Sequence, residues 1–143
     1  RRSMEHLSDP GAGLFAADAG RISSYAATAS IWLDHPLDAV GHAREALAFY
    51  AGRDPADCSP TREAITRLDL ALGLLQLDTI DGAVEEAMLA LDTDRLTGTV
   101  LTRAGDLDTE LARRCRSTPI AQAFRERYRA LRDSHRRPQP VDP

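Results

Sequence analysis

The sequence contains no lysine and no asparagine, so that all 18 of its basic residues are arginine. Lysine serves most exposed positions as well as arginine does, and we therefore interpret the bias as the codon usage of a bacterium with a G+C-rich genome. Aromatic residues make up only 5% of the chain, while alanine and leucine lead its apolar residues. This balance favours helices over sheets, and 143 residues are enough for one domain with a core but few for two.

Targeting and membrane signals are also missing from the sequence. No charged start is followed by a short apolar core, as in a signal peptide, and no apolar run approaches 20 residues. The two cysteines, Cys58 and Cys115, are far apart, and neither belongs to a Cys-x-x-Cys pattern or has a histidine beside it. Free thiols are therefore favoured over a disulfide or a metal site. We expect a cytoplasmic protein that neither enters a membrane nor carries a cofactor.

An internal repeat is the strongest pattern that the sequence does contain. Residues 39–47 and 83–91 share Ala-Val, Ala and Ala-Leu at the same internal spacing, 44 residues apart. The correspondence extends upstream to four further pairs, namely Ala27 with Ala71, Ile31 with Leu75, Leu33 with Leu77, and Asp34 with Asp78. The repeated unit is thus larger than one helix, and we interpret it as two helices joined by a short polar turn.

Apolar spacing and helix breakers predict an all-α fold of stacked antiparallel helix pairs, with about six helices and an N-terminal stub. The first helices are expected over about residues 18–33, 36–51 and 60–77, the fourth over 83–92, and the last two after residues 96 and 118. The third should be the most enclosed, since 65–77 is apolar on nearly every side.

Helix-breaking residues predict a loop at 8–13, and helical spacing places Leu37 and Ile120 at core-facing positions. The predicted organisation is a remnant of a preceding helix and linker at 1–13, one helical domain at 14–135 and a disordered tail at 136–143.

The paired helices and their Asp-containing turns resemble degenerate tetratricopeptide repeats, although the signature Trp-Leu-Gly-Tyr combination is absent and a longer loop at 52–59 extends the usual repeat of roughly 34 residues. A closer resemblance, over residues 15–135, is to the C-terminal tetratricopeptide-like domain of actinobacterial helix-turn-helix transcriptional regulators of the XRE type. The segments that carry it are Asp-His-Pro at 34–36, His-Ala-Arg-Glu-Ala-Leu at 42–47, Ser-Pro-Thr-Arg at 59–62, Arg-Leu-Asp-Leu-Ala at 67–71 and Arg-Tyr-Arg-Ala-Leu at 127–131.

The resemblance implies the sensing or dimerising half of a regulator, with its DNA-binding half upstream. No helix-turn-helix pattern is visible in this chain, so we expect DNA contact only through another domain. The expected function is to sense a small molecule or peptide in a concave groove and to pass that signal to the DNA-binding domain. A homodimer is expected, and the alternative is a dimerisation or protein-docking module that takes no ligand.

Enzymatic chemistry finds little support in the sequence. The four histidines lie outside any nucleophile or metal-ligand pattern, and no Gly-rich phosphate loop is present. Glu85 and Glu86 are adjacent, so on a helix their carboxylates point in different directions. We therefore expect neither an enzyme nor a metal site.

The candidate ligand contacts lie on the first helix of each pair, which lines the groove in stacked helix pairs. They are Tyr25, Thr28 and Trp32 from the first unit, and Arg67, Asp69 and Gln76 from the second. Trp32, the only tryptophan, either closes a pocket by stacking on a ligand or fills the core beside a turn. Arg62 and Arg67 either bind an anionic ligand or pair with Glu63 or Asp69 or face solvent.

The charges are distributed unevenly along the chain. Residues 54–109 carry twelve acidic residues and four arginines, whereas residues 110–137 carry nine arginines and three acidic residues. We consider Arg125, Arg129 and Arg132, with Arg136, as one stripe that contacts a partner. Alternatively the stripe is the solvent face of an amphipathic helix, or it pairs with the acidic middle of the chain.

Overall fold

A computed structural model describes residues 10–115 and 118–137. Within them the chain forms six α-helices and no strand, which confirms the predicted all-α class. The elements are α1 (Pro10–Trp32), α2 (Pro36–Ala51), a 3-10 turn (Pro55–Asp57), α3 (Pro60–Gln76), α4 (Ile80–Leu91), α5 (Gly98–Cys115) and α6 (Pro119–Arg136). None of the helices in these ranges is both long and apolar enough to span a membrane.

The helices form antiparallel pairs that stack beside one another. Gly20, in the middle of α1, packs against Phe49 and Tyr50 near the end of α2, and the hydroxyl of Thr93, just after α4, lies against the first turn of α3. Helix α2 also packs on α3, and α6 packs on both α5 and α4. Helices α1, α3 and α5 lie side by side, with α3 in the middle, and this row is called the α1–α3–α5 layer below.

Helix α3 is the centre of the core, as its apolar sequence predicts. Every residue from 64 to 75 is buried except Arg67. Gly73 lets α2 approach closely, because a Cβ atom there would lie 2.9 Å from Cγ2 of Val40 and 3.2 Å from the carbonyl oxygen of Pro36. The core that surrounds α3 is built mainly from alanine, leucine and valine.

The two turns of the repeat have the same backbone conformation. Asp34 and Asp78 are the only described non-glycine residues with positive φ, at 60° and 62°. In each turn, the next N–H donates to a carbonyl five residues back, from His35 to Ser30 at 2.8 Å and from Thr79 to Leu74 at 2.8 Å. This is the Schellman arrangement that satisfies the last carbonyls of a helix. The correspondence of Asp34 with Asp78 therefore extends from the sequence to the backbone.

Proline and serine start the helices where the sequence predicts. Pro36 and Pro60 occupy the first turn of α2 and α3, where an N–H group would have no partner inside the helix. The hydroxyl of Ser59 caps α3 by accepting a hydrogen bond from the Arg62 N–H at 3.2 Å.

Several predicted boundaries and core positions are wrong. The expected loop at 8–13 is helical from Pro10, so the domain boundary expected after residue 13 falls inside α1. Helix α4 begins at Ile80, three residues earlier than predicted. Leu37 and Ile120, each the second residue of its helix, are exposed and do not contribute to the buried core. Residues 1–9 and 138–143, which hold most of the predicted stub and tail, lie outside the described ranges.

Candidate functional site

A cleft of about 390 Å³ lies in the α1–α3–α5 layer, at the C-terminal ends of α1 and α3 and beside the middle of α5. Two predicted ligand contacts, Trp32 and Gln76, share this cleft, which we call the Trp32 cleft. Its other lining residues are Ile31, Leu72, Arg103, Asp106, Thr109 and Glu110. Trp32 ends α1 and Gln76 ends α3, so the cleft forms where both helices stop and α5 continues past them.

Trp32 is presented to solvent. The residue is 76% exposed, which is the opposite of what core filling requires. The interpretation of Trp32 as a core residue is therefore wrong. An exposed indole at the mouth of a cleft offers a flat apolar surface and one N–H donor.

Gln76 carries an unsatisfied acceptor. Its Oε1 atom is buried and has no hydrogen-bond partner among the described residues. A buried polar atom left without a partner costs about 1–3 kcal/mol, so a ligand that donates a hydrogen bond here recovers that energy. The position of Gln76 at the end of α3 places this acceptor beside Trp32 in the same cleft.

The layer is held together behind the cleft by a buried carboxylate. Asp69 on α3 is fully buried; it accepts hydrogen bonds from Thr28 Oγ1 of α1 at 2.5 Å and from Arg103 Nη1 of α5 at 2.9 Å. Burial raises the pKa of Asp69, while the positive charge of Arg103 and the hydrogen bond from Thr28 act in the opposite direction. Thr28 and Asp69, both predicted ligand contacts, are thus engaged with each other inside the protein, and Asp69 is out of a ligand's reach.

Two acidic side chains of α5 complete the cleft. The carboxylate of Glu110 accepts hydrogen bonds from Arg113 at 2.8 Å and from Arg114 at 3.2 Å, and these contacts lower its pKa. Asp106 is exposed and makes no ion pair with any described residue. Because Arg103 is paired with Asp69, the uncompensated charge in the cleft is the negative charge of Asp106.

Tyr25 and Arg67 lie away from the Trp32 cleft. The guanidinium of Arg62 sits 4.7 Å from the centre of the Tyr25 ring, and both residues line a second cleft near the start of α3. Arg67 donates to Glu63 at 3.3 Å and to Glu86 of α4 at 2.9 Å, so of the alternatives considered for Arg67 the structure shows the ion pair with Glu63.

The six predicted residues therefore do not form one groove. Arg67 and Asp69 are two positions apart on a helix, so their side chains point to nearly opposite sides of α3. Asp69 accordingly pairs with Arg103 of α5, whereas Arg67 faces α4.

The sequence prediction missed the contribution of α5. Arg103, Asp106 and Glu110 follow one another at spacings of three and four residues, which places them on one face of the helix beside the buried apolar stripe. This spacing is the sequence signal that could have indicated a polar face on α5. The signal is hard to recognise because the 44-residue repeat fades before α5, so nothing in the repeat indicates that α5 is the third helix of the layer.

The C-terminal arginines do not form one exposed stripe. Arg125 is largely buried and donates to Asp108 of α5 at 3.0 Å. Arg132 lies over the Tyr128 ring at 5.6 Å and donates to Asp133, whereas Arg129 is exposed. The expectation that Arg125 faces a partner is therefore replaced by an internal ion pair, which favours pairing of the basic end with the acidic middle of the chain.

No cluster of potential metal ligands occurs among the residues that the structure describes. Cys58 is a free thiol that donates to the carbonyl oxygen of Tyr50 at 3.5 Å, while the side chain of Cys115 lies outside the described set.

Comparison with known proteins identifies no relative. No protein-family model matches the chain, and no curated protein and no solved structure is significantly similar to it. The resemblance to tetratricopeptide-like domains of bacterial regulators therefore stays a prediction, and the chain is characterised by its own geometry as an all-α protein of stacked helix pairs.

Proposed function

We propose that this chain is a ligand-sensing domain of a bacterial transcriptional regulator, and that the Trp32 cleft binds a small cationic molecule or the cationic side chain of a peptide. The observation that carries the proposal is the exposed indole of Trp32 beside the buried, unsatisfied Oε1 of Gln76. One group offers a surface for stacking and the other requires a hydrogen-bond donor.

The charge of the cleft selects the class of ligand. Asp106 is its uncompensated carboxylate, and an ammonium or guanidinium group carries both the opposite charge and N–H donors for Gln76. Cations also bind favourably over the face of an indole, with about 0.5–2 kcal/mol gained depending on solvent exposure. A cleft of about 390 Å³ is within the usual size range for small-molecule sites.

Sensing requires that the ligand favour one arrangement of the helices over another. The Trp32 cleft is lined by α1, α3 and α5, so a ligand that touches all three stabilises the arrangement in which they are close. The connection to transcription rests on the resemblance to XRE-type regulators. Reading the gene upstream of Arg1 tests this connection, and a helix-turn-helix sequence is expected there.

Ligand binding is testable by fluorescence, because Trp32 is the only tryptophan. Benzylamine and agmatine are suitable cationic probes, with benzyl alcohol as the neutral counterpart of benzylamine. A saturable change in Trp32 emission is expected with both amines and a much weaker one with the alcohol. The Asp106→Asn variant should weaken amine binding by up to about fivefold, since it removes an exposed ion pair worth up to about 1 kcal/mol. Asp81→Asn, which removes an exposed carboxylate of α4, should change nothing.

Absence of a saturable response to either amine would refute the proposed ligand class. Equal binding of benzyl alcohol and benzylamine would show that the cleft does not recognise charge. In cells, Trp32→Ala should abolish the response of the regulated promoter, and an unchanged response would remove Trp32 from the sensing mechanism.

Self-association through α1 is a second candidate function. Five large apolar side chains at one end of the stack are between 52% and 76% exposed, namely Ile22, Tyr25, Trp32, Leu33 and Leu37. Three of them lie on α1, Leu33 follows it directly and Leu37 is on α2, and such a concentration of exposed apolar side chains is typical of an interaction surface. A second copy of the chain that covers these side chains would remove their apolar surface from water.

Sedimentation equilibrium of the isolated chain tests self-association. A dimer at high micromolar concentration is expected, and Leu33→Glu should convert it to a monomer. Leu89→Glu places the same charge at an exposed leucine of α4 and should leave the dimer intact. A strictly monomeric parent chain would contradict this second candidate.

A further inference from the structure

A second cleft, of about 410 Å³, lies beside the middle of α1, away from Trp32 at the end of that helix. It is bounded by α1, the end of α2, the loop at 52–59 and the start of α3, and we call it the arginine cleft. The side chains that give it its chemistry are Arg21, Tyr25, Tyr50, Arg53, Asp57 and Arg62.

The arginine cleft has an excess of positive charge. Among the residues that the structure describes, three guanidinium groups line it and Asp57 is its one carboxylate. Within the described part of the chain, the side chains of Arg21 and Arg53 make no ion pair, and the hydrogen bond of the Arg62 guanidinium goes to the Tyr25 hydroxyl at 3.4 Å. The formal charges therefore leave an excess of two positive charges. The N-terminus of the 17-residue helix α3 adds the positive end of its dipole beside Arg62.

Tyr50 supplies an unused hydrogen-bonding group. It lines the cleft, and its hydroxyl oxygen is buried without a hydrogen-bond partner among the described residues. Buried hydroxyls normally have a partner, so an orphan in the wall of a cationic cleft indicates a group that a ligand completes. A phenolic hydroxyl donates readily to an anionic oxygen.

The loop at 52–59 builds this wall, and it is the segment by which the chain exceeds the usual length of the repeat. Asp54 accepts a hydrogen bond from the N–H of Ala56 at 3.0 Å and so caps the 3-10 turn. Cys58 ties the far end of the loop to the Tyr50 carbonyl. These contacts fix the loop that carries Arg53 and Asp57, so the extra residues have a defined place in the fold.

From this arrangement we infer that the arginine cleft binds a phosphate monoester of a small organic molecule. The phosphoryl group carries a charge of about −1.5 to −2 at neutral pH, which matches the excess charge of the cleft. Guanidinium groups bind phosphate oxygens in pairs of parallel hydrogen bonds. The volume of the cleft exceeds what a phosphoryl group alone fills, and the rings of Tyr25 and Tyr50 provide walls for the organic part.

Calorimetry with phenyl phosphate, inorganic phosphate and phenol tests the inference at constant ionic strength. Phenyl phosphate should bind saturably and more tightly than inorganic phosphate, and phenol should not bind. Arg53→Gln and Arg62→Gln should each weaken phenyl phosphate at least tenfold. The matched control is Arg44→Gln, which removes an exposed arginine of α2 outside the cleft and should alter the affinity less than twofold. Lack of saturable phenyl phosphate binding, or equal weakening by Arg44→Gln, would overturn the inference.

Alkylation of Cys58 locates the ligand. In a Cys115→Ser background Cys58 is the only thiol, and it lines the arginine cleft. Saturating phenyl phosphate should slow its reaction with the neutral reagent iodoacetamide several-fold, and this protection should disappear in the Arg53→Gln variant. An unchanged alkylation rate at saturation would place the ligand elsewhere and overturn the site.

Tyr50→Phe separates a binding role from a structural one. Because the hydroxyl has no hydrogen-bond partner among the described residues, its removal should leave the midpoint of thermal unfolding unchanged or higher, while phenyl phosphate binds several-fold more weakly. Unchanged affinity would exclude the hydroxyl from the site.

Asp106→Asn should leave phenyl phosphate binding intact. The absence of amine binding at the Trp32 cleft and the absence of phenyl phosphate binding at the arginine cleft are therefore separate outcomes.

Discussion

Single residues decide how closely the helices approach, and Gly73 is the clearest case. In an exposed helix, replacing glycine by alanine stabilises by about 0.5–1 kcal/mol because alanine loses less backbone entropy on folding. At Gly73 the new Cβ would lie 2.9 Å from Val40 and 3.2 Å from the Pro36 carbonyl. We expect Gly73→Ala to lower the free energy of unfolding by about 1–3 kcal/mol, since overpacking outweighs the entropic gain.

Gly41 provides the matched control for that substitution. It is an exposed residue inside α2, and a Cβ atom there would meet nothing within 4 Å. Gly41→Ala should therefore raise the free energy of unfolding by about 0.5–1 kcal/mol. Urea denaturation of both variants measures the two effects, and the same sign for both would contradict the close contact between α2 and α3.

Asp69 makes stability depend on pH in a direction opposite to most carboxylates. Its pKa is raised above the ordinary value of 3.8, mainly because it is buried. At pH values between the ordinary pKa of the unfolded chain and the raised pKa of the folded protein, the folded state binds more protons than the unfolded state. The contribution of Asp69 to the free energy of unfolding therefore falls as pH rises through this range and is constant above it. Glu110, with a lowered pKa, contributes stability that is lost as the solution becomes acid.

Asp69→Asn isolates this contribution, because an amide of the same shape does not titrate. The free energy of unfolding of the parent chain, relative to Asp69→Asn, should be smaller in neutral buffer than in mildly acid buffer. Urea titrations of both proteins at each pH measure that difference, in which Glu110 cancels. A difference that grows toward neutral pH would show that pairing with Arg103 and Thr28 outweighs burial and that the pKa of Asp69 is lowered.

At the scale of elements, the repeated turns use a conformation that aspartate tolerates poorly compared with glycine. The left-handed backbone costs an L-residue with a Cβ atom about 1–2 kcal/mol, and glycine avoids this cost. At Asp34, where φ is 60°, the glycine variant should therefore be more stable than the alanine variant by about 1 kcal/mol. Asp34 suits the test better than Asp78, which lies 3.7 Å from Arg114.

At position 48 the comparison of glycine with alanine should give the opposite order of stability. Ala48 is exposed inside α2, where glycine is less stable than alanine by about 1 kcal/mol. Thermal or urea unfolding of Asp34→Gly, Asp34→Ala and Ala48→Gly is sufficient to compare the two sites. If glycine were also the less stable residue at position 34, the left-handed turn would be excluded.

The helices themselves are the features that the sequence predicts best. Periodic apolar residues, first-turn prolines and matched turns define α1 to α4, because these signals are local to the chain. Helices α5 and α6 were also expected, but their contacts were not: Arg103 reaches Asp69 across 34 positions, and Arg125 reaches Asp108 across 17. Such pairs depend on which helices become neighbours, and no local spacing encodes that choice once the repeat ends.

The sequence predicts only part of the candidate sites, because only some of their residues belong to the repeat. Trp32 and Gln76 share a cleft because they end equivalent helices of the repeat, and the alignment of the two repeats predicts this common position. Arg67 was assigned to the wrong side of α3, since a buried helix has neighbours all around it and periodicity alone does not say which neighbour each face meets. The arginine cleft depends on the loop at 52–59, whose contacts follow no periodic pattern.

For the whole molecule, the hydrogen bonds of Asp69 join α1, α3 and α5 into one layer. Replacing Arg103 by methionine preserves most of the side-chain volume but leaves a fully buried carboxylate without its ion pair. Breaking a buried pair from one side costs about 3–5 kcal/mol, whereas an exposed pair is worth about 0–1 kcal/mol. Arg103→Met should therefore lower the free energy of unfolding by about 3 kcal/mol, and Arg113→Met, which breaks an exposed pair with Glu110, by less than about 1 kcal/mol.

A second change distinguishes loss of charge compensation from loss of packing. If the unpaired carboxylate causes the destabilisation, Asp69→Asn combined with Arg103→Met should be more stable than Arg103→Met alone, because the double variant has no buried charge. The effect of Arg103→Met should also be smaller in acid, where Asp69 binds a proton and no longer needs a counter-charge. Urea unfolding of the single and double variants at two pH values tests both points. Additive, pH-independent losses would mean that Arg103 stabilises the layer only through its packing, and that the three helices are not coupled through Asp69.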